Sequence, residues 1–322
     1  MSATDIARWE GRNGPVPERR LGGLFMRVFV TGASGWVGSA VVPELINAGH
    51  EVVGLARSDQ SAEALSAAGA EVHRGSLEDL ESLHEGAAKS DGVIHLAFIH
   101  DFSQYEAANQ ADRWAIEAMG SALEGSDRPL VIASGVATTA RGRPATENDP
   151  AAPDFPRSAA AAMTLALADK GVRSSVVRLA PTTHGRGDSG FVATVINIAR
   201  EKGVSGYVGE GSNRWPAVHR SDAARVFRLS LEQAPAGSVW HAVAEEGIPT
   251  RSIAEVIGRH LDLPIVSIPG DRAGEHFGWM GMFWGGIDVR VSSDLTRQRL
   301  GWEPTGPLLI EDLEERHYFH TS

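Results

Sequence analysis

One octapeptide restricts the fold of this chain more than any other feature. Thr31-Gly32-Ala33-Ser34-Gly35-Trp36-Val37-Gly38 follows the apolar run RVFV and opens a segment with helical periodicity. The tight turn needs a residue without Cβ at Gly32, Gly35 lets the backbone approach a pyrophosphate, and Gly38 lets the helix pack closely on the sheet. A helix N-terminus also favours an anion. The octapeptide therefore predicts a dinucleotide-binding turn whose contact residues are Gly32, Ser34, Gly35, Trp36, Val37 and Gly38.

Short β-rich runs alternate with helical stretches from Arg27 to Pro181. This alternation predicts a parallel, doubly wound sheet with right-handed crossovers. The predicted strands are RVFVTG, EVVGLARS, AEVHRGSL, GVIHLAF, PLVIASG and VRSSVVRLAP. Predicted helices between them are SGWVGSAVVPELINAGH, SAEALSAAG and LEDLESLHEGAAKS.

The character of the chain changes after Pro181, where Gly, Trp, His and Arg become denser and two further helices are predicted near SDAARVFRLSLEQA and TRSIAEVIGRHL. We expect an α/β protein with a Rossmann-type doubly wound parallel sheet and a smaller C-terminal substrate-binding domain. Residues 26–181 would form the dinucleotide-binding domain. Residues 182–322 would form mainly the substrate-binding domain, with some segments returning to the main sheet. Residues 1–25 are predicted to be a disordered leader.

Composition excludes several classes of function. The 322 residues carry a formal net charge of −11, which makes nucleic acid a poor partner, and they include no cysteine, which excludes disulfide scaffolds and thiolate chemistry. The sequence holds no run of about 18 apolar residues, so no membrane span is predicted and a cytoplasmic location is expected. The 12 histidines include no His-x-x-x-His on a predicted helix, and we predict no metal.

The end of the second strand bears on the choice of cofactor. An NAD site usually places an acidic residue there, about 20 residues beyond the glycines. This chain has Ala56 at that position, followed by Arg57 and Ser58. Because a guanidinium suits a 2′-phosphate, NADP(H) is preferred and NAD(H) remains possible, with Asp59 nearby as an alternative acid.

Several spaced motifs together resemble the extended short-chain dehydrogenase/reductase superfamily, of NAD(P)-dependent epimerase/dehydratase type. TGASGWVG is similar to its TGxxGxxG, GSLED to its GDLxD, HLA to its H-x-A, VRLAP with HG to its RxxxxYG-like segment, AVHRSDAAR to its VHVDDVA, and LGWEPT to its closing LGWxP. The resemblance covers nearly everything from Met26 onward. It implies an active-site serine at Ser134 and further cofactor contacts at Ser76, Leu77, Leu96, Ala97 and Phe98.

The chain departs from that family at the Tyr-x-x-x-Lys pair, because no tyrosine lies between the Ser134 strand and the Arg178 strand. One alignment puts Phe155 and Ala159 at the two positions. The other puts Pro153 and Arg157 there, and we prefer it because the following helix keeps its usual length. Arg157 could hold the ribose or a phosphate of the cofactor, but it would be a poor proton shuttle since arginine stays charged.

Other polar residues are candidates for the missing proton donor or for substrate contacts. Ser134 could bond a substrate carbonyl, and His184, past the sixth strand, could donate the proton. His100 with Asp101 follows the fourth strand and could act as a tuned acid or base. The predicted substrate side includes His219 and Arg220, whereas Asp222 would fix local backbone. The segment GEHFGWMGMFWGG could be a lid over an apolar substrate or a core strap between domains.

These observations favour an NADP(H)-dependent oxidoreductase or epimerase that acts on a small carbonyl or sugar-like substrate, with Ser134, His184 and Arg157 as its catalytic candidates. The missing tyrosine keeps open an alternative, a non-catalytic NADP(H)-binding regulator or redox sensor. The resemblance also leaves a homodimer possible.

Overall fold

Seven parallel strands form the main sheet of the computed structural model, which describes residues 25–99, 104–136, 142–153, 155, 157–315 and 317–319. The strands in chain order are β1 (Arg27–Thr31), β2 (Glu51–Ala56), β3 (Glu71–Arg74), β4 (Gly92–His95), β5 (Pro129–Gly135), β6 (Arg173–Leu179), β7 (Thr182–His184), β8 (Ser205–Val208), β9 (Arg214–His219), β10 (Ser238–Ala242), β11 (Glu245–Pro249) and β12 (Ile265–Ile268). The main sheet has the order β10-β6-β5-β4-β1-β2-β3. Because the chain winds outward from β1 in both directions, the predicted Rossmann-type fold is confirmed.

Helices cover both faces of this sheet, so its strands are buried on both sides. The helices are α1 (Gly38–Asn47), α2 (Asp59–Ala67), α3 (Leu80–Ala88), α4 (Tyr105–Leu123), α5 (Ser158–Ala166), α6 (Phe191–Lys202), α7 (Arg220–Gln233), α8 (Thr250–Leu261), α9 (Ala273–Phe277), α10 (Met280–Gly286), α11 (Asp294–Leu300) and α12 (Leu309–Glu314). One face carries α1 and α7, and the other carries α3, α4 and α5. Among the described residues, no helix has both the length and the apolar character needed to cross a membrane.

The first helix is shorter than the sequence pattern predicts. The pattern starts it at Ser34, but α1 begins at Gly38 because residues 34–37 form the turn itself. The third strand likewise ends at Arg74, and the predicted strand residues Ser76 and Leu77 belong to the loop that follows. Both differences move predicted contact residues from regular elements onto loops at the carboxyl edge of the sheet.

The second half of the chain contributes to the main sheet as well as to two smaller sheets. Strand β10 pairs in parallel with β6, from Ser238 opposite Ser175 to Ala242 opposite Leu179. The smaller sheets have the orders β11-β9-β7 and β12-β8. A separate apolar cluster lies among α6, α8, α10 and these small sheets, and its largest members are Trp215, Phe277 and Trp284. The predicted domain boundary at Pro181 stays a prediction.

Asp222 ties the first turn of α7 to the C-terminal segment. The side chain is 1% exposed, and its two carboxylate oxygens accept hydrogen bonds from the backbone N–H groups of Thr305, at 3.0 Å, and Gly306, at 2.9 Å. Arg225 donates to the same carboxylate at 2.6 Å. All of its described partners are backbone groups or Arg225, an arrangement that fixes local structure.

We expect Asp222→Asn to lower the free energy of unfolding by about 1–3 kcal/mol, because an amide accepts through one oxygen only and leaves a buried backbone N–H without a partner. Urea unfolding would measure the change. The control is Asp271→Asn, on an exposed residue, which should stay within about 0.5 kcal/mol of the parent. Equal stability of the two variants would contradict the role given to Asp222.

Candidate cofactor and active site

Close backbone contacts in the turn between β1 and α1 leave no room for a Cβ at Gly32 or Gly38. Gly32 has φ +65°, and a Cβ there would lie 2.6 Å from the backbone nitrogen of Ala97. A Cβ on Gly38 would lie 2.1 Å from the carbonyl oxygen of Gly32. The outer residues Ser34 and Gly35 are exposed, and the N-terminus of α1 has no side-chain cap. The turn therefore presents an open backbone surface at a helix N-terminus, as an anion requires.

Trp36 joins this turn to the second half of the chain. Its indole Nε1–H donates to the carbonyl oxygen of Thr183 at 2.8 Å. The guanidinium of Arg220 lies 4.5 Å from the centre of the Trp36 ring, within the range of a cation–π contact. Val37, the next residue, packs against the main core. The predicted contact residue Trp36 and the predicted substrate-side residue Arg220 are thus in direct contact.

The end of β2 presents a cation and no free acid. Ala56 is 1% exposed, and Arg57 is exposed without an ion pair or hydrogen bond among the described residues. The hydroxyl of Ser58 caps α2 by accepting from the backbone N–H of Ser61. Asp59 is paired with a second arginine, Arg74, whose Nη2 lies 2.7 Å from Oδ1 of the carboxylate.

Arg74 was not among the residues expected at this edge from the sequence, although the register brings it there. It lies directly opposite Ala56 in the pairing of β2 with β3. Next to it, the loop after β3 returns to β2, with the Gly75 N–H donating to the Ala56 carbonyl at 3.2 Å. Ser76 accepts from the N–H of Glu78, and Leu77 packs on the core under α3. This loop therefore borders the end of β2.

The chain after β4 lies against the glycine turn. The Leu96 N–H donates to the carbonyl of Thr31 at 3.1 Å, and the Ala97 N–H donates to Thr31 Oγ1 at 3.3 Å. Phe98 follows, with the guanidinium of Arg157 4.6 Å from its ring centre. The structure therefore brings Leu96, Ala97, Phe98 and Arg157 together at the carboxyl edge of β4. His100 and Asp101 lie outside the described residues.

A chain of buried polar side chains runs beneath this edge. The Nδ1 of His95 lies 2.6 Å from Thr31 Oγ1, and its Nε2 lies 3.1 Å from Oδ1 of Asp112. Arg157 Nη2 donates to both oxygens of Asp112, at 3.2 and 3.3 Å. Burial raises the pKa of Asp112, but the His95 hydrogen bond and the Arg157 charge outweigh burial, so this pKa lies below its usual value. Asp112 was missed because no helix was predicted where α4 lies.

Ser134 occupies the carboxyl end of β5, next to β4. It is 6% exposed, and in the described part of the chain its hydroxyl makes no hydrogen bond. Beside it, a Cβ on Gly135 would lie 3.1 Å from Cζ of Phe155. The hydroxyl of Ser134 is therefore free to bond a ligand, and the ring of the nearby Phe155 carries no hydroxyl group.

His184 belongs to a different sheet from Ser134. It ends β7, in the small sheet, and is 0% exposed. Its Nδ1 lies 2.8 Å from Oδ2 of Asp312 on α12. The centre of its ring lies 5.4 Å from the centre of the His219 ring. Its Nε2 has no hydrogen-bond partner among the residues that the structure describes. The contacts of His184 therefore connect the end of β7 to α12 and to the end of β9.

A match to the family model described as the NAD dependent epimerase/dehydratase family spans residues 28–242. This chain belongs to that family. An uncharacterized protein of Schizosaccharomyces pombe is 51% identical over 91% of this chain and 100% of its own length. A 4-hydroxy-2-methyl-3-oxo-4-farnesyl-3,4-dihydroquinoline-1-oxide ketoreductase of Stigmatella aurantiaca is 26% identical, over 86% of this chain and 92% of its own length.

Solved structures of the family share the fold. The Thermus thermophilus UDP-glucose 4-epimerase, solved as a complex with NAD, superposes with a TM-score of 0.69 at 20% identity, over 91% of this chain and 99% of the other. The epimerase/dehydratase resemblance stated from the motifs is therefore confirmed for family and fold.

Neither alignment of the family's Tyr-x-x-x-Lys pair describes this family member fully. Phe155 lies against Gly135, at the end of the Ser134 strand, but Ala159 is exposed. Arg157 reaches Phe98 and Asp112, but Pro153 is exposed. Each alignment thus contributes one residue to the edge of the sheet, Phe155 or Arg157, and both residues precede α5.

The aromatic segment near the C-terminus packs partly into the core, as one of its two predicted roles requires, and its role as a lid stays a prediction. Phe277, Met280 and Trp284 are at most 2% exposed and belong to the apolar cluster of the small sheets, as a core strap would. Trp279 and Met282 are 56% and 69% exposed. The strap is therefore anchored by some of its large residues and leaves the others at the surface.

The glycine turn of this epimerase/dehydratase-family protein should not tolerate a methyl group at Gly38. We expect Gly38→Ala to lower the free energy of unfolding by at least about 1–3 kcal/mol, because the added Cβ overlaps backbone that cannot rotate away. Thermal or urea unfolding is the measurement. Gly274→Ala, where a Cβ meets nothing within 4 Å, is the matched control and should be neutral. A neutral Gly38→Ala would refute the close approach described for the turn.

Proposed function

We propose that this family member is an NADP(H)-dependent oxidoreductase or epimerase that acts on a small carbonyl or sugar-like compound. The observation that carries the proposal is the backbone cradle at Gly32 and Gly38 with the guanidinium of Arg57, unpaired among the described residues, at the neighbouring strand end. The ketoreductase name of the Stigmatella relative supports a carbonyl substrate.

The preference for NADP(H) rests on charges at the end of β2. The position that would hold the ribose hydroxyls in an NAD enzyme is the buried Ala56, which has no polar atom on its side chain. The carboxylate of Asp59 forms an ion pair with Arg74 at 2.7 Å. At this edge of the sheet, Arg57 is therefore the cation that has no ion pair among the described residues. A guanidinium and the neighbouring Ser58 suit a phosphate monoester.

We expect Arg57→Ala to weaken NADPH binding about 10- to 100-fold and to leave NADH binding nearly unchanged, because a hydrogen bond to a charged group contributes about 1.5–3 kcal/mol. Fluorescence titration of the purified protein with each nucleotide measures both affinities. Arg299→Ala, on an exposed arginine of α11, is the matched control. If NADH bound more tightly than NADPH to the parent protein, the assignment would be wrong.

The chain's own residues would hold the cofactor and the substrate around it. The cofactor supplies hydride acceptance and donation when bound. We propose that the turn residues Gly32 to Gly38 bind its diphosphate and that Arg157 holds its ribose or a phosphate, since arginine stays charged and does not shuttle protons. The Ser134 hydroxyl would donate to the substrate carbonyl oxygen.

The proton that a tyrosine supplies elsewhere in the family would come from another group or from water. We assign no proton transfer to His184, because its side chain is fully buried and its Nδ1 is bound to Asp312. We also assign no proton transfer to Tyr318, because its phenol donates to Asp188 Oδ2 at 3.0 Å and burial raises the pKa of that phenol. Of the described side chains at the carboxyl ends of the main-sheet strands, Ser134 remains the one with a free hydroxyl.

Ser134→Ala should lower kcat about 10²- to 10³-fold with little change in NADPH affinity, because the variant loses one donor aimed at the developing negative charge on the substrate oxygen. NADPH oxidation across aldehydes, ketones and nucleotide sugars would identify the substrate on which to measure it. Ser121→Ala, an exposed serine of α4, serves as the control. Unchanged turnover in Ser134→Ala would remove this residue from the proposal.

A second function, a non-catalytic NADP(H)-binding regulator or redox sensor, is favoured by one observation. The ring beside Gly135 at the end of the Ser134 strand belongs to Phe155, which has no proton to give. Tight NADPH binding without turnover on any member of the panel would support the regulator and contradict the enzyme. The homodimer and the cytoplasmic location stay predictions.

A further inference from the structure

The buried chain Thr31–His95–Asp112–Arg157 joins four parts of the fold. Thr31 ends β1, His95 ends β4, Asp112 lies within α4, and Arg157 immediately precedes α5. The first three are 0% exposed, and the Arg157 side chain is 14% exposed. Burial of this many polar groups is costly unless each is bonded, so the arrangement requires an explanation.

The hydrogen bonds of this group meet at Asp112. The Ala97 N–H donates to Thr31 Oγ1, and the same oxygen lies within hydrogen-bond distance of Nδ1 of His95. A carboxylate only accepts, so His95 Nε2 donates to Asp112. The negative charge of Asp112 then faces the guanidinium of Arg157 in a largely buried ion pair.

The guanidinium of Arg157 is fixed from two sides. The Phe98 ring lies under it at 4.6 Å, and Asp112 accepts from its Nη2. The Nε of Arg157 is buried and has no hydrogen-bond partner among the described residues of the protein. A guanidinium is planar and donates in fixed directions, unlike the rotating ammonium of lysine, so its use as a ligand depends on the orientation of the plane.

We propose that Asp112 is a positioning residue that sets the orientation of the Arg157 guanidinium toward the cofactor, with His95 and Thr31 behind it fixing the carboxylate. This inference rests on the proposed function, in which Arg157 holds the ribose or a phosphate. Since Thr31 directly precedes Gly32, the same chain couples Arg157 to the glycine turn. The two proposed contacts with the cofactor therefore share one rigid support.

The test is a double-mutant cycle on NADPH affinity, with Arg157→Met, Asp112→Asn and the double variant. Arg157→Met should weaken NADPH binding roughly tenfold to a hundredfold. Asp112→Asn should weaken it by a comparable factor although Arg157 is still present, because a misplaced ligand loses most of its effect. The double variant should bind no more weakly than Arg157→Met, since the two changes remove one interaction.

Unfolding measured on the same proteins separates positioning from stability. Asp112→Asn leaves a buried guanidinium without its counter-charge and should lower Tm, whereas the double variant removes that charge and should regain much of the loss. NADPH affinity should not recover with it. Glu106→Gln, on the same helix and paired with Arg113 at the surface, is the matched control and should bind NADPH as the parent does.

Three results would overturn the inference. If Asp112→Asn binds NADPH as tightly as the parent and Arg157→Met does not, Asp112 does not position the Arg157 guanidinium. If the losses of NADPH affinity add in the double variant, the two residues act separately. If the double variant recovers NADPH affinity together with Tm, the role of Asp112 is structural only. Failure of the parent protein to bind NADPH would instead reject the proposed function itself.

Discussion

The close approach of two backbone segments at the carboxyl edge of the sheet is the constraint on which the rest of the site depends. Gly32 faces the backbone of Ala97, and Gly38 faces the carbonyl of Gly32, each at a distance that excludes a Cβ. Because β1 and β4 are neighbours in the sheet, this contact sets the start of α1 and the path after β4 together. The cradle, Phe98 and Arg157 follow from that placement.

A buried ion pair lies beneath the carboxyl edge of the sheet. The carboxylate of Asp112 in α4 accepts from the guanidinium of Arg157, and the imidazole of His95 donates to the same carboxylate. A lysine in the first turn of a helix would need no such support, since its ammonium donates in any direction. The extra buried pair is consistent with an arginine whose orientation matters.

The sequence alone predicted the elements that carry strong local signals. Strand β5 was predicted with its observed bounds, Pro129–Gly135, because a continuous apolar run ends there at glycine. Helix α4 was not assigned, and with it Asp112 was missed: only the packing of this helix against α3 and α5 brings Asp112 to His95. Chain spacing could not decide between Phe155 and Arg157, since both precede α5 and both reach the edge of the sheet.

The pairing of β10 with β6 has a consequence for how the molecule can be divided. Ser238 to Ala242 supply the outermost strand of the main sheet, and Trp240 on that strand is 2% exposed. A fragment that stopped near Pro181 would leave β6 with a row of open backbone donors and acceptors, a template for self-association. We therefore expect the two halves of the polypeptide to melt in a single cooperative transition, and limited proteolysis to release no autonomous N-terminal piece.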